Sequence, residues 1–305
     1  METKENPLYG ITELELLNML ETSKAELRQA IIDGYKSYAK DSKNGKKRII
    51  EEPNDTLMTL LKRLVKPIQQ LPCPDYCKCG WTKQNALLNA QAHANNFTTV
   101  TMDITDFYPN TLSKFVREGL KKELNISEKA LDIIIEMATY NNHLPTGAPT
   151  STILAFIAHK ELFDYIAQEM GKRGITYTQY VDDITLSAIH GITYKEVRFI
   201  QTVLNKHGLR LKSKKTKFYN YKKALITGYY LKQNGKISVP NRIGQTIIQM
   251  LETKSIKEMD VREIKKLLGY IEYQRQADKR AFKITRIRAI KQQKRLIKME
   301  NQKGE

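Results

Sequence analysis

Apolar and polar positions along the chain repeat with two periods, and each period predicts an element. In ITELELLNMLETSKAELRQAII, Leu14, Leu17, Leu20, Leu27 and Ile31 fall at helical spacings, and Thr22 and Ser23 break the run into two short helices. DSKNGKKRIIEEP follows, with Asn44–Gly45 as a turn between basic flanks, which predicts a hairpin tipped with positive charge. DTLMTLLKRLVKPIQQL predicts a helix ending near Pro72, and KQNALLNAQAHANN predicts a second. FTTVTMDITDFYPNT alternates as a strand, with Val100, Met102 and Ile104 on one side, Thr101, Asp103 and Thr105 on the other, and Pro109 as its stop. Helical periodicity returns over residues 112–124, 128–140 and 152–170, with NNHLPTGAPTS as a loop before the last of these. ITYTQYVDDITLS reads as a β-hairpin, residues 194–207 as a helix, and GLRLKSKKTKFYNYKKALITGYYLKQNGKISVP as strands with turns. From Arg242 onward the pattern is helical and basic.

Strands interspersed with helices imply an α+β or α/β core with a separate helical C-terminal unit, and the boundary falls near Pro240. An apolar content of 41% over 305 residues is enough for a substantial core. No apolar run is long enough to span a bilayer and residues 1–10 do not read as a signal peptide, so the expected location is the cytoplasm, away from membranes.

Charge narrows the function classes. A net charge of +18 is too lopsided for a typical small-metabolite enzyme and points to a polyanion, nucleic acid before membrane. Between Val197 and Leu251 no acid occurs, while Arg198, Lys206, Arg210, Lys212, Lys214, Lys215, Lys217, Lys222, Lys223, Lys232, Lys236 and Arg242 do. Tyr219, Tyr221, Tyr229 and Tyr230 are interleaved with them, a composition suited to phosphate contact and base stacking. Cys73, Cys77 and Cys79 are close together but lack a fourth ligand and a paired CxxC spacing, so free thiols are expected rather than zinc.

Asp182 and Asp183 stand side by side in the hairpin, and Asp103 lies at a strand end. Like charges there repel and are costly to bury unpaired. Converging carboxylates make a poor core and a good site for a hard divalent cation. An Asp–Asp pair is also ordinary turn composition, and spacing alone leaves both readings open.

The surrounding words add a resemblance. TMDITDFYPN, LPTGAPTS, QYVDDITLS and GLRLKSKKTKF, in this order, resemble successive palm motifs of reverse transcriptases, and KKRIIEEP resembles their fingers segment. The likeness runs from about Lys46 to Pro240. NAQAH, from Asn89 to His93, is similar to the Asn-Ala-x-x-His element of bacterial retron reverse transcriptases, and ITG, Ile226, Thr227 and Gly228, to their Val-Thr-Gly element.

The resemblance implies an α+β right-hand polymerase: an N-terminal helical segment over 1–30, fingers and palm over 31–240 with an antiparallel sheet flanked by helices, and a basic helical thumb over 241–305. It implies that Asp103, Asp182 and Asp183, with the Ile104 carbonyl, hold two Mg²⁺ ions, Mn²⁺ being a substitute. Arg48, Asp106, Phe107 and the Gly147 backbone would meet the nucleotide, Tyr108 would be the aromatic gate against a ribose 2′-hydroxyl, and Lys215 would be the acid for the leaving pyrophosphate. Asn89, His93, the ITG element and Arg286, Arg288, Lys291, Lys294 and Arg295 are the expected RNA contacts. Two departures stand out: Thr146 replaces the common Gln, and Thr152 replaces a common Pro, for which only a change at the helix start is expected.

The implied function is RNA-directed DNA synthesis on a cognate structured noncoding RNA (msr-msd), primed from a guanosine 2′-hydroxyl and yielding branched msDNA. Deoxynucleoside triphosphates are the substrates, an accessory effector protein the expected partner, and anti-phage defence the setting. An abortive-infection or diversity-generating reverse transcriptase, or an RNA-binding scaffold controlling a toxin, are the rival readings.

Overall fold

The structure, a computed structural model, describes residues 6–41, 45, 47–220, 223–232 and 234–302. Asn44, Lys46, Tyr221 and Lys222, singled out above, lie outside the described residues. The chain is α+β with antiparallel sheets.

Helices α1 (Glu13–Met19) and α2 (Lys24–Asp33) are the expected pair, started by Thr12 in a capping box with Glu15 and by Ser23, whose side chain accepts from Glu26 N. Strands β1 (Tyr35–Asp41) and β2 (Lys47–Pro53) form an antiparallel ribbon paired from Tyr35 with Pro53 to Asp41 with Lys47. A two-stranded ribbon is marginal by itself. This one is anchored at its base, where Tyr35 Oη donates to Met137 O (2.7 Å) and the buried Glu51 carboxylate meets His143 Nε2 (3.0 Å).

Helix α3 (Asp55–Ile68) ends earlier than expected; Pro67 sits in its last turn, and Gln69 caps it. Helix α4 (Ala86–Gln91) is shorter than its apolar pattern suggested. Strand β3 (Thr98–Asp103) stops well before Pro109. The stop is a left-handed Asp106 (φ 44°), which opens the one-turn helix α5 (Phe107–Asn110) with Pro109 inside it. Proline is tolerated there because a first-turn amide has no intrahelical acceptor. Helices α6 (Ser113–Leu124), α7 (Glu128–Ala138) and α8 (Ser151–Lys172) follow, then strands β4 (Thr176–Tyr180) and β5 (Asp183–Ala188), helix α9 (Tyr194–Asn205) and strand β6 (Lys217–Asn220).

The central sheet has the order β4-β5-β3-β6, antiparallel throughout. Its register sorts the side chains by face. Val100, Met102, Ile184, Leu186 and Tyr177 share the apolar face, and α8 packs beside β4. Thr99, Thr101, Thr178, Thr185 and Ser187 share the other face, and the pair Asp103–Asp183 sits at its end.

Strands β7 (Ala224–Ile226), β8 (Tyr229–Leu231) and β9 (Ile237–Ser238) form a small sheet whose apolar cluster is completed by Ala90 of α4. Helices α10 (Asn241–Thr253), α11 (Val261–Ala277) and α12 (Lys283–Asn301) pack around Ile247, Ile264, Leu267, Ile271 and Ala289, a third cluster distinct from the main core. Among the described residues no helix is long and apolar enough to cross a membrane.

Candidate active site

The site is built where two strands of the central sheet end together. Asp103, the last residue of β3, is paired directly with Asp183, the first of β5, and Asp182 lies in the two-residue loop before it. Ile104 N donates to Asp182 O (2.8 Å), tying the loop to the strand that carries Asp103. The three carboxylates feel one another. Burial first, then Asp103, pushes the Asp182 carboxyl up, while burial, then Asp182 and Asp103, pushes Asp183 up to about 7.

Lys215, in the short turn Ser213–Lys215, donates to Asp103 Oδ2, and that bond holds its ammonium above the usual lysine range. Lys212 N donates to Asp103 O (2.8 Å), so the basic motif is seated on the aspartate strand by backbone as well as side chain. Among the described residues no three His, Cys, Asp or Glu side chains are grouped as a ready set of metal ligands. The donor chemistry nonetheless fits a hard divalent cation: hard carboxylate oxygens on adjacent strand ends repel one another, and a cation would relieve that repulsion where one lysine now does so.

The loop is strained. Val181 has φ 56°, whereas Asp182 does not have positive φ, the sign pattern of a II′ turn, whose first position ordinarily takes glycine. A β-branched residue held there costs about 1–3 kcal/mol. Gln179 Nε2 donates to Val181 O (2.6 Å) from the strand below.

Around this centre the expected nucleotide residues divide. Arg48, exposed on β2, is near enough for its charge to favour ionised Asp182. Asp106 is exposed and Phe107 buried, at the left-handed entry to α5. Tyr108 is half-buried, its phenol pushed up to about 12 by desolvation, and its Oη lies 2.8 Å from Thr152 Oγ1. Thr152 therefore does more than start α8: it tethers the aromatic side chain. Only the departure from Pro pointed to this position, and nothing in the sequence pointed to a tether.

Gly147 corrects its expectation. Its N–H donates to Glu51 O (3.0 Å), so the amide is engaged by β2 rather than offered to a nucleotide. A Cβ there would lie 2.5 Å from Glu51 O, which is why glycine is required. Thr146 Oγ1 donates to Ile49 O (3.0 Å) and accepts from Glu51 N (3.3 Å), stapling the same strand to the loop.

The expected RNA contacts need a larger correction. Asn89, His93 and Ile226 are fully buried and so closed to RNA. His93 lies between Ser187 Oγ (2.6 Å) and Thr178 Oγ1 (2.8 Å) on the polar sheet face, and desolvation pushes it down to about 3. Asn89 Nδ2 donates to Thr227 Oγ1 (3.3 Å), and Thr227 Oγ1 donates to Ala86 O (3.0 Å). NAQAH and ITG therefore meet each other. Gly228 accepts from Tyr273 Oη (2.7 Å) of α11, and Tyr229, counted above among the stacking tyrosines, is buried beside that ring. Tyr230 remains accessible with Lys223 Nζ 3.8 Å over its ring. On α12, Arg288, Lys291, Lys294 and Arg295 are exposed, while Arg286 Nε donates to Glu272.

Cys73, Cys77 and Cys79 form no disulfide, and Cys77 and Cys79 are buried.

Residues 39–270 match the family model described as reverse transcriptase (RNA-dependent DNA polymerase). The retron Se72 reverse transcriptase of Salmonella heidelberg (strain 579083-10) is 24% identical over 77% of this chain and 65% of its own length. The retron Ec86 reverse transcriptase of Escherichia coli is 30% identical over 60% of this chain and 58% of its own, and the Ec48 enzyme 26% over 58% and 47%. The chain thus spans between about half and about two thirds of the length of these relatives. Apo telomerase from Candida tropicalis, truncated from its C-terminal domain, shares the fold with a TM-score of 0.53 at 10% identity, over 68% of this chain and 55% of that one. The chain belongs to the reverse transcriptase (RNA-dependent DNA polymerase) family, and the curated relatives named here are bacterial retron reverse transcriptases.

Proposed function

We propose that this chain is an RNA-directed DNA polymerase of retron type, acting in the cytoplasm on deoxynucleoside triphosphates and a cognate structured RNA. The observation that carries the reading is the meeting of Asp103 and Asp183 at paired strand ends, with Asp182 in the adjoining turn and Lys215 against Asp103. Residues 31–240 serve as fingers and palm, with the β1–β2 ribbon in the fingers, and residues 241–305 as thumb.

Asp103, Asp182 and Asp183, with the Ile104 carbonyl, would hold Mg²⁺ or Mn²⁺, which would supply charge neutralisation for the triphosphate and a lowered pKa for the attacking hydroxyl. Each remaining role belongs to a side chain or backbone of the chain itself. Arg48 receives the triphosphate in a guanidinium fork, and the backbone at Asp106 and Phe107 borders it. Tyr108 closes the space beside the sugar C2′ and so selects deoxynucleotides. Lys215, released from Asp103, gives its proton to the departing pyrophosphate oxygen. The accessible residues of the basic tract and α12, with Thr227 and Gly228 at the ITG turn, dock A-form RNA by backbone and shape.

The retron assignment rests on NAQAH and ITG together with the named relatives. It carries priming from a guanosine 2′-hydroxyl, a branched msDNA product, an accessory effector and a role in anti-phage defence. Sequencing nucleic acid that copurifies with the protein tests it: DNA joined through a 2′-branch to RNA is expected from wild type and not from the double variant Asp182→Asn, Asp183→Asn. Unbranched product, or product that survives the double substitution, contradicts the reading.

A further inference from the structure

The cysteine-rich segment lies against the turn that carries Asp182. Residues 76–79 run alongside β4 as an added parallel edge: Gln179 N donates to Tyr76 O (2.9 Å), Lys78 N donates to Gln179 O (2.9 Å), and Cys77 bridges Gln179. This places the buried Cys79 with its Sγ 3.0 Å from Val181 N, which donates to it. The other polar group of Val181 is held as well, since Gln179 Nε2 donates to Val181 O (2.6 Å). Tyr177 Oη fixes that amide by donating to Gln179 Oε1 (2.7 Å).

Valine does not choose φ 56° of its own accord. A non-glycine residue persists in such a conformation only where its surroundings over-determine it. Cys79 and Gln179 supply that determination from opposite sides. The sulfur is itself fixed: Cys77 Sγ donates to Cys79 O (3.3 Å), and the following Gly80 (φ 79°) brings the backbone against Ile153 of α8, within 3.4 Å of where a Cβ would stand. Trp81 Nε1 donates to Leu71 O (2.8 Å) and closes the segment.

We propose that Cys79 is a positioning residue for polymerisation, its sulfur accepting the Val181 amide and so holding the left-handed turn that aims Asp182 beside Asp103. The claim rests on the polymerase reading above for its consequence, but not for its geometry. Alanine removes the acceptor altogether. Serine keeps an acceptor on a shorter bond, which must reach further.

The test compares Cys79→Ala, Cys79→Ser and the control Cys73→Ala, whose thiol lies on the same segment but does not touch the turn. Exchange of the Val181 amide is measured by NMR on the protein without metal or nucleotide, alongside steady-state dNTP incorporation. In Cys79→Ala the Val181 amide should exchange about tenfold faster or more, with the Leu186 amide unchanged. Its kcat should fall about tenfold or more at unchanged KM for dNTP, because a small misplacement costs turnover rather than binding. Cys79→Ser should recover part of both, and Cys73→Ala should match wild type. If Cys79→Ala fails to fold, the serine variant decides by its Val181 exchange, which must lie above wild type. Val181 exchange equal to wild type in the folded variants overturns the proposal. Accelerated exchange in a protein without any polymerase activity upholds the clamp and sinks the polymerase reading instead.

Discussion

Thr152→Val removes one hydroxyl from the neighbourhood of Tyr108 and leaves the side-chain volume nearly unchanged. The bond it removes is 2.8 Å long and joins two half-buried hydroxyls. Such a bond contributes about 0.5–1.5 kcal/mol net. If the tether holds the aromatic ring where a 2′-hydroxyl must pass, that energy is the most the gate can lose when it is cut. At about 1.4 kcal/mol per tenfold, discrimination between dNTP and rNTP should fall by about 2- to 12-fold. The assay is single-nucleotide extension on an RNA template, comparing kcat/KM for a dNTP and its rNTP. The change should come from a gain with rNTP, with dNTP nearly unaffected. Tyr108→Phe removes the partner oxygen, so adding Thr152→Val to it should do nothing further. An unchanged ratio in Thr152→Val, with Tyr108→Ala admitting ribonucleotides, would refute the tether while leaving the gate in place.

Further predictions follow from burial, close approach and charge. His93 and His159 are both pushed down to about 3 by desolvation. Below pH 6.5 the unfolded chain therefore takes up protons that the folded chain refuses, and stability falls as pH drops from 6.5 toward 3. Each histidine should cost about 1.4 kcal/mol at pH 5.5. Urea midpoints at pH 7.5 and 5.5 read this, and His93→Gln should show a smaller drop than wild type. Gly147→Ala drives a methyl to 2.5 Å from Glu51 O, so the β1–β2 ribbon must shift. A stability loss of about 1–3 kcal/mol is expected, seen as a lower Tm and faster proteolysis in residues 35–53. Replacing Lys291, Lys294 and Arg295 together with Gln should lower the slope of log K against log salt for duplex RNA by about 0.9 for each phosphate no longer neutralised. An unchanged slope would move RNA docking away from α12.

What the sequence could reveal depended on whether the signal was local. Helical spacing placed α1, α2, α6, α8 and α9 closely, because amphipathic periodicity is a property of neighbouring residues. Pro109 misled because a proline at a helix start looks, in sequence, like a strand stop; a left-handed Asp106 ends the strand instead. The aspartates were legible as a divalent-cation candidate because like charges in a hairpin need an explanation, although only the strand register brings Asp103 opposite Asp183. Asn89 and His93 were expected as contacts because NAQAH resembles a retron element, and a motif likeness carries no information on burial. The threonine-lined sheet face that receives His93 is assembled from strands far away in the chain. Cys79, Gly147 and Thr152 act through tertiary partners at Val181, Glu51 and Tyr108, and no local pattern announces such partners.

The central claim is that one carboxylate on β3 and two from the β4–β5 turn act as a unit in templated DNA synthesis. Incorporation of labelled dNTP on a primed RNA template by wild type and Asp103→Asn, with folding checked by Tm, tests it most directly. Template-directed DNA synthesis by wild type, and loss of it to background in a folded Asp103→Asn protein, is the result predicted. Equal incorporation by the two proteins, or none by wild type with Mg²⁺ and Mn²⁺ both supplied, would contradict it.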